Sequence, residues 1–309
     1  PLANGPAPSR EGETWRMEGL VEGLVVGENT LELRHGTQTL ASLQLVNHPI
    51  EGPMFSGPQQ EPFVCSVVRE LQREPLVDSS DPKYFAVRNG AGQTIGYSRN
   101  CSVETYVEYR YLPVGGTTGR DFKPLPADGS RPADMARTTL LDGREVDFIV
   151  RWERGTINRF IYQYIALAPA GDDPDKPDTS LWNRRLIYHF QGGVGFGHYQ
   201  GGLDARAALP HALGKGYAIA YSTGTRTGEH YNLVVGGETA LMTKERFVER
   251  YGVPLYTVAR TTRACSTRRS RCSRTPTWSG RSPTWATASC SSTTWTSPTT
   301  ATLPGARPR

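Results

Sequence analysis

Apolar and polar residues alternate in two short runs near the start of the chain. The runs are residues 30–33 and 40–46, and turn-forming residues lie at 27–29 and 35–36. Alternation with a period of two places every second side chain on one face of a strand, and turns at this spacing join antiparallel strands. The pattern predicts hairpins and, over residues 1–48, a small β-sandwich-like region.

Residues 49–140 are predicted to cross the surface irregularly and then to form strands. The stretch from His48 to Phe63 holds four prolines and two glycines in sixteen residues. Each proline fixes its own φ and lacks the N–H that a strand ladder needs, which disfavours regular structure. Alternation returns in VETYVEYRYL at residues 103–112, which predicts a strand.

Residues 141–258 alternate between strand patterns and helix patterns. The predicted elements are two strands within 144–169 separated by Gly155, a strand ending at Gln191, a short helix near 205–213, a strand at 216–223, a helix over 238–251 and a strand at 254–258. Strands that alternate with helices build a parallel sheet covered by helices. The predicted fold class is therefore α/β, with a partial hydrolase-like parallel sheet.

The net charge of +5 belongs entirely to the end of the chain. Residues 259–309 contain nine arginines and no lysine, aspartate or glutamate, so residues 1–258 carry +5 minus 9, or −4. The arginines are scattered among Thr and Ser without a folded recognition element, so no nucleic-acid partner is predicted. No stretch approaches the roughly 20 apolar residues of a membrane-spanning helix.

Residues 259–309 have the composition of a disordered tail. They contain 13 Thr, 9 Ser and a single Leu, with no Val, Ile, Phe, Tyr or Met to bury. One interpretation is a Ser/Thr/Pro stalk, although stalks rarely carry the three tryptophans and three cysteines found here. The other is an out-of-frame reading after Val258, because a one-base shift of GC-rich codons turns this composition into ordinary acidic and aliphatic residues. Codon-position bias in the present frame beyond codon 258 would exclude it.

Gly192 and Gly193 are the candidates for an oxyanion hole. They directly follow the strand that ends at Gln191, where α/β sheets bind ligands. Glycines let backbone N–H groups turn toward a developing negative charge, and HFQGG resembles the HGGG-type loop of esterases. The alternative is a glycine-rich turn without a ligand. A dinucleotide site is not predicted, because the GxGxxG pattern and its later acidic residue are missing.

Four polar residues are predicted to line a pocket near these glycines: His189, Gln191, Ser222 and His230. The plainer alternatives are a strand-end histidine, a turn serine and a polar loop histidine. The histidines show neither HxxxH nor HExxH spacing, so no metal site and no other cofactor are predicted.

The sequence lacks a catalytic nucleophile of the expected kind. In an α/β-hydrolase, the strand after a helix such as 238–251 ends in G-x-S-x-G, where a strained turn exposes the serine. Here that strand is followed by ARTTRACS, and neither His nor Asp occurs after Val258. A Ser-His-Asp triad is therefore not predicted, and no residue is assigned a catalytic role.

Five stretches of the chain resemble one known group of proteins: NHPIEGPMFSGPQQEPFVC, NCSVETYVEYRY, FKPLPADGSRPADMARTT, ERGTINRFIYQYIAL and KERFVERYGVPLYTV. Together they are similar to a family of secreted bacterial proteins of unassigned function that look like α/β-hydrolases preceded by an immunoglobulin-like domain. The resemblance covers residues 16–258. In that family the strand matching LYTV leads into a serine-bearing turn, and this chain departs from the family at that place.

The resemblance has consequences for the cysteines and for the location of the protein. By count alone, Cys65 and Cys101 are either a disulfide or two buried thiols. The exported setting of the family implies the disulfide. It also implies a secreted or periplasmic protein, whose native signal peptide is then missing from a sequence that begins with Pro1.

The predicted function is that of an incomplete, inactive serine hydrolase of the esterase or lipase type. Its intact parent would act on a small-molecule or polymeric ester. The alternative is a non-catalytic extracellular module that binds carbohydrate or a cell surface, with the tyrosines of YVEYRYL as a stacking platform. Alternating tyrosines on a half-buried strand more often pack inside the protein. The oligomeric state is not predicted.

Overall fold

The computed structural model describes residues 23–193, 195 and 197–262, together with the strand positions 2–3, 9–11, 14–16, 20–21 and 277–278. The strands are β1 (Leu2–Ala3), β2 (Ser9–Glu11), β3 (Thr14–Arg16), β4 (Leu20–Val21), β5 (Gly27–His35), β6 (Gln38–Asn47), β7 (Phe85–Arg88), β8 (Thr94–Ser98), β9 (Tyr106–Tyr111), β10 (Lys123–Pro124), β11 (Arg137–Thr139), β12 (Glu145–Asp147), β13 (Ile149–Ile157), β14 (Phe160–Leu167), β15 (Arg185–Gln191), β16 (Ala218–Arg226), β17 (Tyr256–Thr262) and β18 (Thr277–Trp278). The helices are α1 (Val67–Leu71), the 3-10 helix η1 (Ala205–Ala207), α2 (Pro210–Leu213) and α3 (Leu233–Tyr251).

One mixed sheet of eight strands organises the chain, in the order β10-β9-β13-β14-β16-β15-β17-β18. Strand β15 pairs in parallel with β16 on one side and with β17 on the other. The other neighbouring pairs in this sheet are antiparallel. The sheet is thus part of an α/β arrangement, but the predicted parallel order holds for three strands only.

The turn between β13 and β14 is not where the sequence pattern predicted it. Gly155 lies inside β13, opposite Tyr162. A Cβ at this glycine would lie 2.9 Å from the Tyr162 ring, so close packing accounts for the glycine. The chain turns instead at Asn158 and Arg159, whose φ angles are 51° and 67°. Two residues with positive φ make a tight hairpin turn, and so short a connection forces β14 to run antiparallel to β13.

Apolar side chains cover both faces of the sheet. On one face Tyr164, Leu186 and Ala220 pack against Phe247 and Tyr251 of α3. The opposite face is covered by a cluster built around α2: Trp152, Ile165, Leu209, Leu213 and Ile219. Alternation along each strand separates the two clusters, as the pleat requires.

Helix α3 and strand β17 are both longer than predicted. The side chain of Asn232 accepts hydrogen bonds from the backbone N–H groups of Val234 and Val235, at 3.1 and 3.2 Å, so the helix begins five residues before Glu238. Strand β17 continues past Val258 to Thr262 along the ladder with β15. The rest of the predicted tail, apart from positions 277–278, lies outside the described residues.

The two N-terminal segments of the prediction differ in their relation to the large sheet. Strands β5 and β6 form the predicted hairpin, and most of their residues are exposed. A sandwich around this hairpin stays a prediction. The segment 49–140 contributes β9 and β10 to the same sheet as β13–β17, so that sheet spans the predicted boundary at residue 140. None of the helices in the described part of the chain has the length and apolar character needed to cross a membrane.

Candidate functional site

Gly192 and Gly193 lie at the carboxyl end of β15, between its two parallel neighbours. The last residue of the strand, Gln191, is in register with Thr262 of β17 on one side and with Arg226 of β16 on the other. The glycines therefore begin the loop at the centre of the carboxyl edge, where three parallel strands end together. Open α/β sheets bind their ligands at this edge.

The backbone of Gly193 allows no other residue without strain. Its φ is +150°, and a Cβ would lie 2.8 Å from the Cα of Gly228. The hydroxyl of Thr227 donates a hydrogen bond of 2.6 Å to the carbonyl oxygen of Gly193. The turn is thus fixed against the loop that follows β16, which gives the neighbouring N–H groups a defined direction.

His189 is fully buried, and both of its ring nitrogens have partners. The guanidinium of Arg260 lies 2.9 Å from Nδ1, and Asp204 Oδ2 lies 3.4 Å from Nε2. Arginine only donates, so Nδ1 must accept, and the proton of the neutral ring sits on Nε2 and points to Asp204. This arrangement leaves His189 no free nitrogen for a substrate.

Asp204 joins His189 to the start of η1. Its Oδ1 accepts hydrogen bonds from the backbone N–H and from Nε of Arg206, at 3.0 and 2.9 Å. Burial alone would raise the pKa of Asp204, but the hydrogen bonds from His189 and Arg206 more than offset this and hold that pKa well below its ordinary value. We call His189, Asp204 and Arg260 the closed corner.

Gln191 and Ser222 are placed on opposite faces of the sheet. The side chain of Gln191 accepts a hydrogen bond of 3.1 Å from the hydroxyl of Tyr221, next to His189. Ser222 follows Tyr221 in β16 and therefore points to the other face, the one that carries α3. Its side chain is fully buried and accepts from the backbone N–H of Gly224 at 3.2 Å. Ser222 thus shares no pocket with Gln191.

His230 lies in a separate cleft at the same edge of the sheet. Its Nε2 lies 2.8 Å from the carbonyl oxygen of Gly224, and its Nδ1 accepts from the N–H of Asn232 at 3.3 Å. Burial lowers the pKa of His230, so the ring is neutral at pH 7. The ring stacks obliquely on Phe160, with centroids 5.0 Å apart, and so contributes mainly its face to the cleft.

The cleft is narrow, with a cavity volume of about 30 Å³, and has a mostly apolar lining. Phe63, Phe160 and Tyr199 supply aromatic surface, and Gln60, Arg159 and His198 supply the polar groups used below. Because Phe160 begins β14 and His198 follows the glycine loop, the cleft opens at the carboxyl edge. It therefore lies on the same side of the sheet as Gly192 and Gly193.

Residues 6–274 match the tannase-like family of unknown function, DUF6351. The chain belongs to this family. The matched range includes all of the large sheet's strands up to β17 and continues past Val258. No curated protein and no solved structure matched the chain.

A disulfide supports one wall of the cleft in this tannase-like family member. Cys65 and Cys101 are joined, as the resemblance implied, with their Cα atoms 5.4 Å apart. Gln200 ties this region to the end of the glycine loop. Its side chain accepts from the N–H of Ser66 at 2.8 Å and donates to the carbonyl oxygen of Cys101, also at 2.8 Å. The loop from Gly192 to Gln200 is thus fixed at both ends.

Glu238 holds the other wall of the cleft. Its carboxylate is fully buried and accepts hydrogen bonds from three successive backbone N–H groups, those of Met54, Phe55 and Ser56, at 2.5 to 2.8 Å. The hydroxyl of Ser56 and the side-chain amide of Asn158 add a fourth and a fifth, at 2.7 and 3.0 Å. Although burial opposes it, this set of donors lowers the pKa of Glu238. The irregular segment after residue 48 is thereby locked onto α3.

The sequence pattern did not identify Arg159 and Gln200 as important residues. Arg159 was missed because the turn was placed at Gly155, and Gln200 because its four partners come from segments far apart in the chain. One signal was present: an asparagine directly before Arg159 favours a turn with positive φ.

A catalytic pair of the serine-hydrolase kind is not present in the described part of the chain. None of its Ser, Thr or Cys side chains hydrogen-bonds to a histidine there. Nor do the described residues include a group of three or more His, Cys, Asp or Glu that could hold a metal ion. The hydroxyls of two tyrosines of β9 have partners within the chain, Tyr109 with Asp172 at 2.8 Å and Tyr111 with Asp134 at 3.0 Å. The ring of the third, Tyr106, is covered by the guanidinium of Arg73, 3.9 Å from the centroid.

Proposed function

We propose that the chain has the scaffold of a serine-type carboxylic ester hydrolase and that Gly192 and Gly193 form its oxyanion site. The single observation that carries the proposal is the position of these glycines at the carboxyl end of the central parallel strand. Membership of a tannase-like family supports an ester as the substrate. Secretion, which the resemblance implied, remains part of the proposal.

The position of the glycines in the chain supports this role. Strand β15 is the third of the five consecutive strands β13–β17. In α/β-hydrolases, one oxyanion donor is an N–H of the loop that follows the third strand, and the other comes from the residue after the nucleophile. The neighbouring parallel strand β17 ends beside Gln191, which would bring a residue after Thr262 close to the same glycines.

The contribution of these glycines to the reaction would be electrostatic. When a serine oxygen attacks the ester carbonyl, the carbonyl oxygen gains negative charge and a histidine base takes the proton from the serine hydroxyl. N–H groups that already point at this oxygen stabilise the transition state more than the substrate. The described residues supply these donors and the neighbouring cleft, but not the serine and histidine. We therefore expect no ester turnover from the chain as it stands.

The test is a chimera in which residues 263–309 are replaced by the matching segment of a family member that carries G-x-S-x-G and a later histidine. We expect the chimera to hydrolyse p-nitrophenyl esters and the present chain to leave them intact. Gly192→Pro removes an N–H and should lower kcat by about 10²–10³-fold, whereas the control Gly192→Ala keeps the N–H and should cost far less. Equal losses in the two variants would rule out the oxyanion role.

A further inference from the structure

Two residues that line the cleft each contain a buried N–H donor without an acceptor. The donors are Nε of Arg159 and Nδ1 of His198, and neither has a hydrogen-bond partner among the described residues. Buried donors are almost always paired in folded proteins, because an unpaired one costs about 1–3 kcal/mol. Two such donors in the wall of one cleft indicate that an acceptor from outside the chain belongs there.

The hydrogen on His198 Nδ1 follows from its neighbour. The side-chain nitrogen of Gln60 lies 3.2 Å from His198 Nε2. An amide nitrogen only donates, so Nε2 must accept and the proton of the neutral ring must be on Nδ1. His198 therefore presents a donor to the cleft, unlike His230, whose two nitrogens are both occupied.

The positive charge of Arg159 is buried without a carboxylate beside it. The side chain is 3% exposed, and in the described part of the chain no Asp or Glu oxygen lies within 4.0 Å of it. Burial lowers the pKa of Arg159 to about 10, and the nearby positive charge of Arg99 acts in the same direction, while the negative charges of Glu61 and Asp78 oppose the shift. Arg151 is equally buried, but Asp172 and Glu153 lie 2.9 and 3.4 Å from it. Arg151 thus shows that a buried arginine with a structural role is paired with carboxylates in this protein.

Gln60 brings both donors into one corner. The backbone carbonyl oxygen of Gln60 accepts a hydrogen bond from Arg159 at 3.1 Å, and its side-chain amide contacts His198. The guanidinium lies over the ring of Phe63, 3.9 Å from the centroid, and the ring of Phe160 stands edge-on to Phe63 at 5.7 Å. The corner thus combines a cation and a neutral donor with aromatic walls. We call Arg159, His198 and Gln60 the open corner.

We propose that the open corner binds a carboxylate whose apolar remainder packs between Phe63, Phe160 and Tyr199. Arginine and a neutral histidine N–H match the two oxygens of such a group, and the lining suits a small ring or short alkyl chain. This rests on the proposed function: the ligand would be an ester that carries a separate carboxylate, or the acid released by hydrolysis. Binding needs no nucleophile, so the two proposals fail independently.

Benzoate is the probe, and benzamide is its neutral control of the same shape. Both are titrated into the full chain at pH 7 by isothermal calorimetry. We expect benzoate to bind at least tenfold more tightly than benzamide, because only the anion compensates Arg159. If the chain binds neither compound, the donors hold water only and the proposal is wrong. Equal affinity for the two compounds would also overturn it.

Two variants test the residues. Arg159→Met keeps the stem over Phe63 and removes the charge, and should weaken benzoate binding at least tenfold. Should this variant fail to fold by circular dichroism, His198→Leu replaces it, with an expected loss of about three- to tenfold. The matched control is Arg99→Gln, since Arg99 is a nearby exposed cation already paired with Glu61 at 2.9 Å. The affinity of this control for benzoate should stay within twofold of the native value. A loss equal to that of the other variants would mean that benzoate responds to the overall positive charge and would overturn the proposal.

Discussion

The closed corner and the open corner lie at the same edge of one sheet, and each contains a histidine next to an arginine. In the closed corner both ring nitrogens of His189 and both carboxylate oxygens of Asp204 have partners within the chain: His189 bonds to Arg260 and Asp204, and Asp204 also bonds to Arg206. In the open corner Arg159 and His198 each keep an N–H without an acceptor in the described residues. Residue type alone therefore does not distinguish a structural histidine from a binding one. The hydrogen-bond partners of the two ring nitrogens do.

This difference reverses the expectation drawn from the sequence about histidines. His189 was a pocket-lining candidate because it ends a strand near the glycines, yet its ring is locked by residues 15 and 71 positions away in the chain. Of the remaining polar candidates, Gln191 lies beside the closed corner, His230 lines the cleft that contains the open corner, and Ser222 lies on the face below α3. We draw four predictions from the contrast, in order of expected effect.

The largest effect is expected from the disulfide that supports the open corner. Cys65→Ser combined with Cys101→Ser opens a loop with a sequence separation of 36 residues, which by chain entropy corresponds to roughly 4 kcal/mol of unfolding free energy. Urea denaturation measures the loss, and the reduced native chain is the control. If the double variant loses less than about 1 kcal/mol, the wall of the cleft is held by Gln200 and Arg159 rather than by the disulfide.

Asp204→Ala should break the closed corner. It removes the acceptor of His189 Nε2–H and the side-chain cap of η1, and we expect a loss of about 2–3 kcal/mol in unfolding free energy. Asp204→Asn keeps one oxygen, which can still cap the backbone N–H of Arg206, and should lose less. Equal stability of the alanine variant and the native chain would mean that the closed corner does not stabilise the fold.

Lowering the pH should remove part of the stabilisation that Asp204 provides. The pKa of Asp204 in the folded chain lies below its ordinary value of 3.8, so the unfolded state takes up the proton first as pH falls. The stabilisation by this carboxylate is therefore complete above about pH 5 and declines as pH drops through the unfolded pKa toward the folded one. The stability difference between the native chain and Asp204→Asn, measured by denaturation from pH 6 to pH 3, should shrink over this range. A difference that grows toward pH 3 would contradict the assignment.

The smallest effect on stability is expected in the open corner. His198→Leu removes an N–H that has no partner within the described residues, together with the acceptor of the exposed Gln60 amide, so we expect the unfolding free energy to change by no more than about 0.5 kcal/mol. Benzoate affinity should nevertheless fall, as stated above. A loss of several kcal/mol with unchanged affinity would make His198 a structural residue like His189.

Much of the fold could be predicted from local signals. Strand β15, strand β16 and the main part of α3 were indicated by apolar periodicity bounded by glycine and proline, and the hairpin β5–β6 by alternation around a turn. Strand direction was not encoded in this way. It depends on the length of each connection, and a misplaced turn at Gly155 concealed the tight hairpin that makes β14 antiparallel.

The candidate site could be predicted only in part. The glycines after Gln191 were found because a strand followed by glycines is a local pattern. The partners of His189 and the acceptors around Gln200 come from distant segments, and a single sequence contains no signal for such contacts. The open corner was missed for the same reason. It is recognised by two N–H groups that have no acceptor among the described residues, and no sequence motif marks this feature.

The most direct test is a long-range ¹H–¹⁵N spectrum of the histidine rings at pH 7, recorded with and without saturating benzoate. The proton of the neutral ring should be on Nε2 in His189 and on Nδ1 in His198. Benzoate should shift the ring nitrogens of His198 and leave those of His189 in place. A shift confined to His189, or the same tautomer in both rings, would contradict the distinction between the closed and the open corner.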